Sequence, residues 1–265
     1  MQTEVLGIKT EYETNGITNG NAAGITAPVL ILHGWGANAQ AVRPIANCIA
    51  RLGFETVSVD FPGFGGTEEP PEAWGVPEYA AFTREFIRAR GLEGCHVVCH
   101  SFGGRVAIQL ASGEPKLFGK LVFVDAAGVR SKRGIRYYLK TWKYKLGKRL
   151  AAIPALNRAF RLEEKRARAG SADYRALQSD VMRQTLVKVV NLDLTNKLPL
   201  IQNETLLVWG DKDEATPLWM ARVMEKNIKN SGLAILEGAG HYSYADNYPQ
   251  FCAVMKAYFA QQGEV

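Results

Sequence analysis

Short apolar runs recur along this chain, bounded by glycine, proline or acidic residues, and between them the apolar positions adopt a helical period. Runs of four or five β-formers, too short for helices, predict strands at Val29–Leu32, Thr56–Asp60, His96–His100, Lys120–Val124, Thr205–Trp209 and Leu233–Leu236. The more polar Ile8–Glu13 predicts an antiparallel edge strand near the N-terminus. Helical patterns fall near Ala39–Arg51, Pro77–Arg90, Phe102–Ala111, Pro217–Ile228 and Pro249–Ala260. Strands alternating with helices predict an α/β fold, a mostly parallel sheet with helices on both faces.

The alternation breaks once. From about Gly128 to Leu200 no strand pattern appears, only helical stretches. In Arg136–Leu150 the residues Leu139, Trp142, Leu146 and Leu150 share one face, and Pro154 would stop that helix. Ser171, with Asp173 in the first turn, predicts a second start running toward Val190. Residues 128–200 therefore read as a helical insert in a body made of 1–127 and 201–265.

Charge sharpens that division. The chain carries +6 overall, yet between Arg130 and Gly170 fourteen Lys/Arg face only Glu163 and Glu164, so the rest is mildly acidic. Three uses fit this basic insert. It could attract anionic substrates, or it could touch a membrane surface, since Tyr137, Tyr138, Trp142 and Tyr144 are interleaved with lysines. It could also be a solvated outer face whose aromatics pack inward. Nucleic-acid binding is not expected, because the positive charge is confined to one insert and no recognition motif accompanies it.

With 265 residues, 47% hydrophobic and 22% charged, the composition is that of an ordinary globular protein with ample core. No apolar run reaches the roughly 18–20 residues of a membrane span. The opening MQTEVLGIKT lacks a basic head and an apolar stretch, so no secretory signal and a cytoplasmic location are expected. The four cysteines fit that compartment. Cys95 and Cys99 would lie roughly 13 Å apart along a strand, too far for a bridge. His96 and His100 would point to the opposite face from them, so Cys95–His100 is not expected to bind metal.

The chemistry centres on VVCHSFGG, residues Val97 to Gly104. A serine hydroxyl is reactive only if a base takes its proton and the developing oxyanion is stabilised. A sharp strand-to-helix turn exposes the oxygen and sets the next N–H at a helix N-terminus; apolar Val97-Val98 before Ser101 and Gly103-Gly104 after it suit such a turn. Of four histidines, His96 and His100 lie in the strand and His33 precedes a glycine pair in LHGWG. His241, in EGAGHYSY directly after a predicted strand, is the candidate base. In LLVWGDKDEATP, Asp213 is the candidate acid to orient it; Asp211 could instead shape the turn, and Asp125 is a more distant candidate.

The order Ser101, Asp213, His241, with HGWG, DFPGFGGT, HSFGG, GDKDEATP and GAGH in sequence, resembles the α/β-hydrolase superfamily over nearly the whole chain. Cys99 departs from the glycine usual two residues before the nucleophile. The resemblance implies an oxyanion hole from the backbone N–H groups of Trp35 and Phe102, a structural role for His33, and residues 128–200 as a helical cap over the site. It implies no metal or organic cofactor. The implied activity is hydrolysis of a small, in one variant anionic, acyl compound through an acyl-enzyme. Carboxylester, lactone and carbon–carbon bond hydrolysis stay open. An aminopeptidase would want carboxylates, of which the insert is nearly bare between Arg130 and Glu163, and a haloalkane dehalogenase would need an aspartate at Ser101. A non-catalytic small-molecule binder is the alternative of a different class.

Overall fold

The computed structural model describes residues 1–16, 27–130, 177 and 179–260. Strands are β1 (Gln2–Val5), β2 (Ile8–Asn15), β3 (Val29–Leu32), β4 (Thr56–Val59), β5 (Cys95–His100), β6 (Phe118–Val124), β7 (Thr205–Gly210) and β8 (Ser231–Leu236). Helices are α1 (Arg43–Ala50), α2 (Val76–Ala89), α3 (Phe102–Ala111), α4 (Asp180–Asn191), α5 (Leu218–Asn227), the single turn α6 (Ser243–Asp246) and α7 (Tyr248–Ala260).

The strands form one eight-stranded sheet ordered β1-β2-β4-β3-β5-β6-β7-β8, antiparallel at β1–β2 and β2–β4 and parallel from β4 to β8. Apolar side chains alternate across it. Leu30, Leu32, Val97, Cys99, Leu121, Phe123, Leu207 and Trp209 join one core with α2, α3 and α5. Val29, Ile31, Val98, Val122, Val124 and Val208 join the other with α1 and α7. Strands buried on both faces need apolar residues at nearly every position, which is why they read as continuous runs.

Each predicted strand is present within one or two residues. The N-terminal expectation needs correction: β2 is an interior strand, and β1 is the edge. Leu6 and Gly7 both take positive φ, 51° and 75°, the geometry of a tight hairpin. The first helix also starts later than expected. Gln40–Val42 is a 3-10 turn, and α1 begins at Arg43 with Pro44 in its first turn.

The described part of 128–200 contains α4 and a 3-10 turn, Thr195–Leu200. Ser179 caps α4, its hydroxyl accepting the Val181 and Met182 N–H groups, so a helix starts there. The expected helix at 136–150 and the start at Ser171 lie outside the described residues. Met182, Leu186 and Val189 face inward from α4, and the Trp74 N–H donates to Thr185 Oγ1 at 3.0 Å, which fastens α4 to the segment before α2. Among the described residues no helix is long and apolar enough to cross a membrane.

Candidate active site

Strand order reverses at β3, whose two parallel neighbours are β4 and β5. The crevice at the carboxyl ends of such strands is where open α/β sheets gather functional groups. The loops after β3, β5, β6, β7 and β8 meet there.

Ser101 joins β5 to α3 with φ 49° and ψ −110°, a strained conformation for a residue with a Cβ. The turn holds because Gly103 and Gly104 let the start of α3 pack closely on its neighbours. A Cβ on Gly103 would lie 2.4 Å from the Leu32 carbonyl oxygen, and one on Gly104 would lie 2.5 Å from the Ala126 Cβ. Cys99 fits: it is buried and its thiol lies 3.4 Å from the Val122 carbonyl oxygen. Burial pushes that thiol well above its ordinary pKa, so it stays protonated at neutral pH.

The His241 ring lies 3.0 Å from Ser101 Oγ through Nε2 and 2.9 Å from Asp213 Oδ2 through Nδ1. Of the three acids in the loop after β7, Asp211 and Glu214 are exposed and Asp213 is buried. Asp213 Oδ1 accepts the N–H groups of Ala215 and Thr216 at 2.8 and 2.9 Å, and the Thr216 hydroxyl lies 2.6 Å from Oδ2. Burial alone would raise the Asp213 pKa, but hydrogen bonds from His241 and Thr216 outweigh it and hold the carboxyl below its usual range. An ionised carboxylate only accepts, so the His241 proton sits on Nδ1. Nε2 then turns its lone pair to the serine.

The other histidines are occupied elsewhere. His33 Nε2 accepts the Phe61 N–H at 2.9 Å, so its Nδ1–H points to the Gly34 carbonyl 2.7 Å away. Burial lowers its pKa to about 4, and it braces the His33–Gly36 loop as a neutral ring. Asp60 secures the same region, accepting from Ala39 N–H at 2.6 Å and Gly66 N–H at 2.9 Å. His100 Nε2 lies 2.8 Å from the His241 carbonyl oxygen and ties the loop after β8 to β5. Burial lowers its pKa to about 4 as well. His96 Nδ1 accepts the Lys120 N–H.

Asp125 is not the acid partner of His241. Its Oδ1 accepts the Gly210 N–H at 2.9 Å and its Oδ2 the Ser243 N–H at 3.0 Å, so it clamps the loops after β7 and β8 to the end of β6. Thr216 adds a link, its hydroxyl 3.0 Å from the Asp125 carbonyl oxygen. Sequence reasoning missed this brace, together with Thr216, Ser243 and the His100 tether. The one available signal was the position of Asp125 at a strand end. Burial, with the like charge of Asp213 nearby, pushes the Asp125 pKa up to about 7 despite the bonds from Ser243 and Gly210.

The folded protein thus keeps this proton to higher pH than the unfolded chain. Stability is lost as pH rises from 3.8 toward about 7, and the loss is complete above that. The size is on the order of a few kcal/mol. Asp125→Asn is expected to shrink the difference between urea midpoints at pH 5 and pH 8; an unaltered difference would remove the assignment.

Trp35, Phe102, Ser101 and His241 line one cavity of about 440 Å³. Among the described residues no hydrogen bond engages the N–H of Trp35 or of Phe102. Phe102 opens α3, where the first N–H groups have no partner within the helix. Val129, Leu186, Val189 and Val190 close part of the cavity from the 128–200 segment.

A family model described as the alpha/beta hydrolase fold matches residues 27–248. Among relatives, the chain is 28% identical over 266 residues to lipase 1 of Psychrobacter immobilis, covering 90% of this chain and 80% of that one. It is 25% identical over 241 residues to a pimeloyl-[acyl-carrier protein] methyl ester esterase of Aeromonas hydrophila, covering 86% and 93%. An esterase structure from Exiguobacterium antarcticum superimposes with a TM-score of 0.73 at 22% identity, covering 97% and 98% of the two chains. The family match spans most of the chain, and the relatives include lipases and an esterase; the protein belongs to the alpha/beta hydrolase fold family.

Proposed function

We propose that the protein is a serine hydrolase of small carboxylic esters, with Ser101 as nucleophile, His241 as general base and acid, and Asp213 as the orienting acid. The chain of two hydrogen bonds at 3.0 and 2.9 Å opening into the cavity carries this reading. The relatives named as lipases and as a methyl ester esterase support ester chemistry.

His241 Nε2 takes the Ser101 proton as Oγ attacks the ester carbonyl carbon. The carbonyl oxygen becomes an oxyanion held by the Trp35 and Phe102 N–H groups, with the α3 dipole adding to the field. Collapse of the intermediate breaks the bond to the alcohol oxygen, which leaves with the proton from His241. A water, giving its proton to His241, then attacks the acyl-enzyme, and a second collapse returns Ser101 and frees the acid. Asp213 stays ionised throughout and stabilises the transient imidazolium.

Residues 128–200 act in this proposal as the cap over a core of 1–127 and 201–265; the α4 side chains on the cavity support that role. A serine-reactive fluorophosphonate is the direct test. It is expected to label the protein stoichiometrically, with the adduct on the peptide containing Ser101. An intact protein that resists labelling while binding small acids would be a binding protein instead.

A further inference from the structure

Arg105 follows Ser101 by four residues, so it shares the face of α3 that the serine caps. It lines the same cavity yet is only 8% exposed. Among the described residues its guanidinium donates to one acceptor, the Leu192 carbonyl oxygen. Asp193 acts on it through charge attraction and, among the described residues, not through a hydrogen bond. Burial lowers its pKa to about 10, so the group is still a full cation at neutral pH.

Enclosing a cation is expensive unless it is both paired and hydrogen-bonded, and Asp193 offers Arg105 attraction without a hydrogen bond. The guanidinium has five N–H donors in a planar fork that matches a carboxylate, and one carbonyl uses little of it. The neighbouring walls, Val129, Leu186, Val189 and Met220, are apolar and suit a methylene chain. Four residues of helix rise about 6 Å, a span of a few methylenes.

We propose that Arg105 is the anion-recognition residue of this cavity and that the esters cleaved there carry a carboxylate at the far end of the acyl chain. The guanidinium holds that carboxylate while Ser101 attacks the ester carbonyl. The assignment rests on the reading of Ser101 as nucleophile, and the experiment separates the two.

Monoethyl esters of straight-chain dicarboxylic acids are compared with ethyl alkanoates of equal acyl length, acid release being followed at constant pH. The wild-type protein is expected to favour the half-esters by about 10-fold or more in kcat/KM, and Arg105→Gln to reduce that ratio about 10-fold. Equal constants in the wild-type protein, or an unaltered ratio in Arg105→Gln, overturn the anion site and leave the hydrolase reading standing. Calorimetric binding of hexanedioate against hexane-1,6-diol by the wild-type protein needs neither variant nor turnover. Preference for hexanedioate supports the site even if no ester is cleaved, in which case the hydrolase reading falls alone. No preference overturns it.

Discussion

Ser101→Ala is expected to lower ester hydrolysis by roughly 10⁴-fold or more, to the level that the cavity and oxyanion donors provide alone. Removing Oγ deletes the atom that forms the acyl-enzyme, and no other group takes its place. Cys99 is buried with its thiol held protonated, and His100 is committed to the base loop. Folding should be almost untouched. Ser101 Oγ contacts His241 and the residue is half-buried, so alanine leaves the turn intact and stability within about 0.5 kcal/mol. Rates for p-nitrophenyl esters of the purified variant, with a parallel thermal melt, check both parts. Turnover near that of the wild-type protein would remove Ser101 from the reaction.

Asp213→Asn is expected to cost about 10³- to 10⁴-fold in kcat with little change in fold. The carbonyl oxygen of the introduced amide would take over the Ala215 and Thr216 N–H groups now accepted by Oδ1, leaving the amide nitrogen facing His241 Nδ1. That nitrogen donates, so Nδ1 must become the lone pair and the proton moves to Nε2, where it confronts Ser101. The base is then present in its unreactive tautomer. Asp211→Asn serves as the control: Asp211 is exposed, and its replacement should change kcat less than about 3-fold. Equal losses in the two variants would contradict the assignment of Asp213.

The alternation of apolar runs and helical periods was enough to find the parallel strands, because burial on both faces leaves few polar positions to blur them. Strand ends then located the chemistry, since each loop at the carboxyl edge follows a run that is easy to see. The hairpin before β2 was less legible: positive φ at Leu6 is sustained by context, where Asn or Asp would have announced the turn. The choice among Asp125, Asp211 and Asp213 could be argued from loop order. The reason for it could not, because the N–H groups that hold Asp213 and Asp125 belong to residues whose side chains say nothing about backbone direction. Arg105 was hidden likewise. In sequence it is one basic residue in an apolar helix, four after the serine, and only the fold shows that both line one cavity.

His241 is carried by the loop of β8, the outermost strand, most of whose residues are only half-buried, whereas Ser101 follows β5 in the middle of the sheet. What holds the imidazole in reach of the hydroxyl is thus less β8 itself than the ties from His100 and Asp125 that draw its loop inward. In the proposed mechanism, loosening either tie would cost proton transfer while leaving the sheet whole.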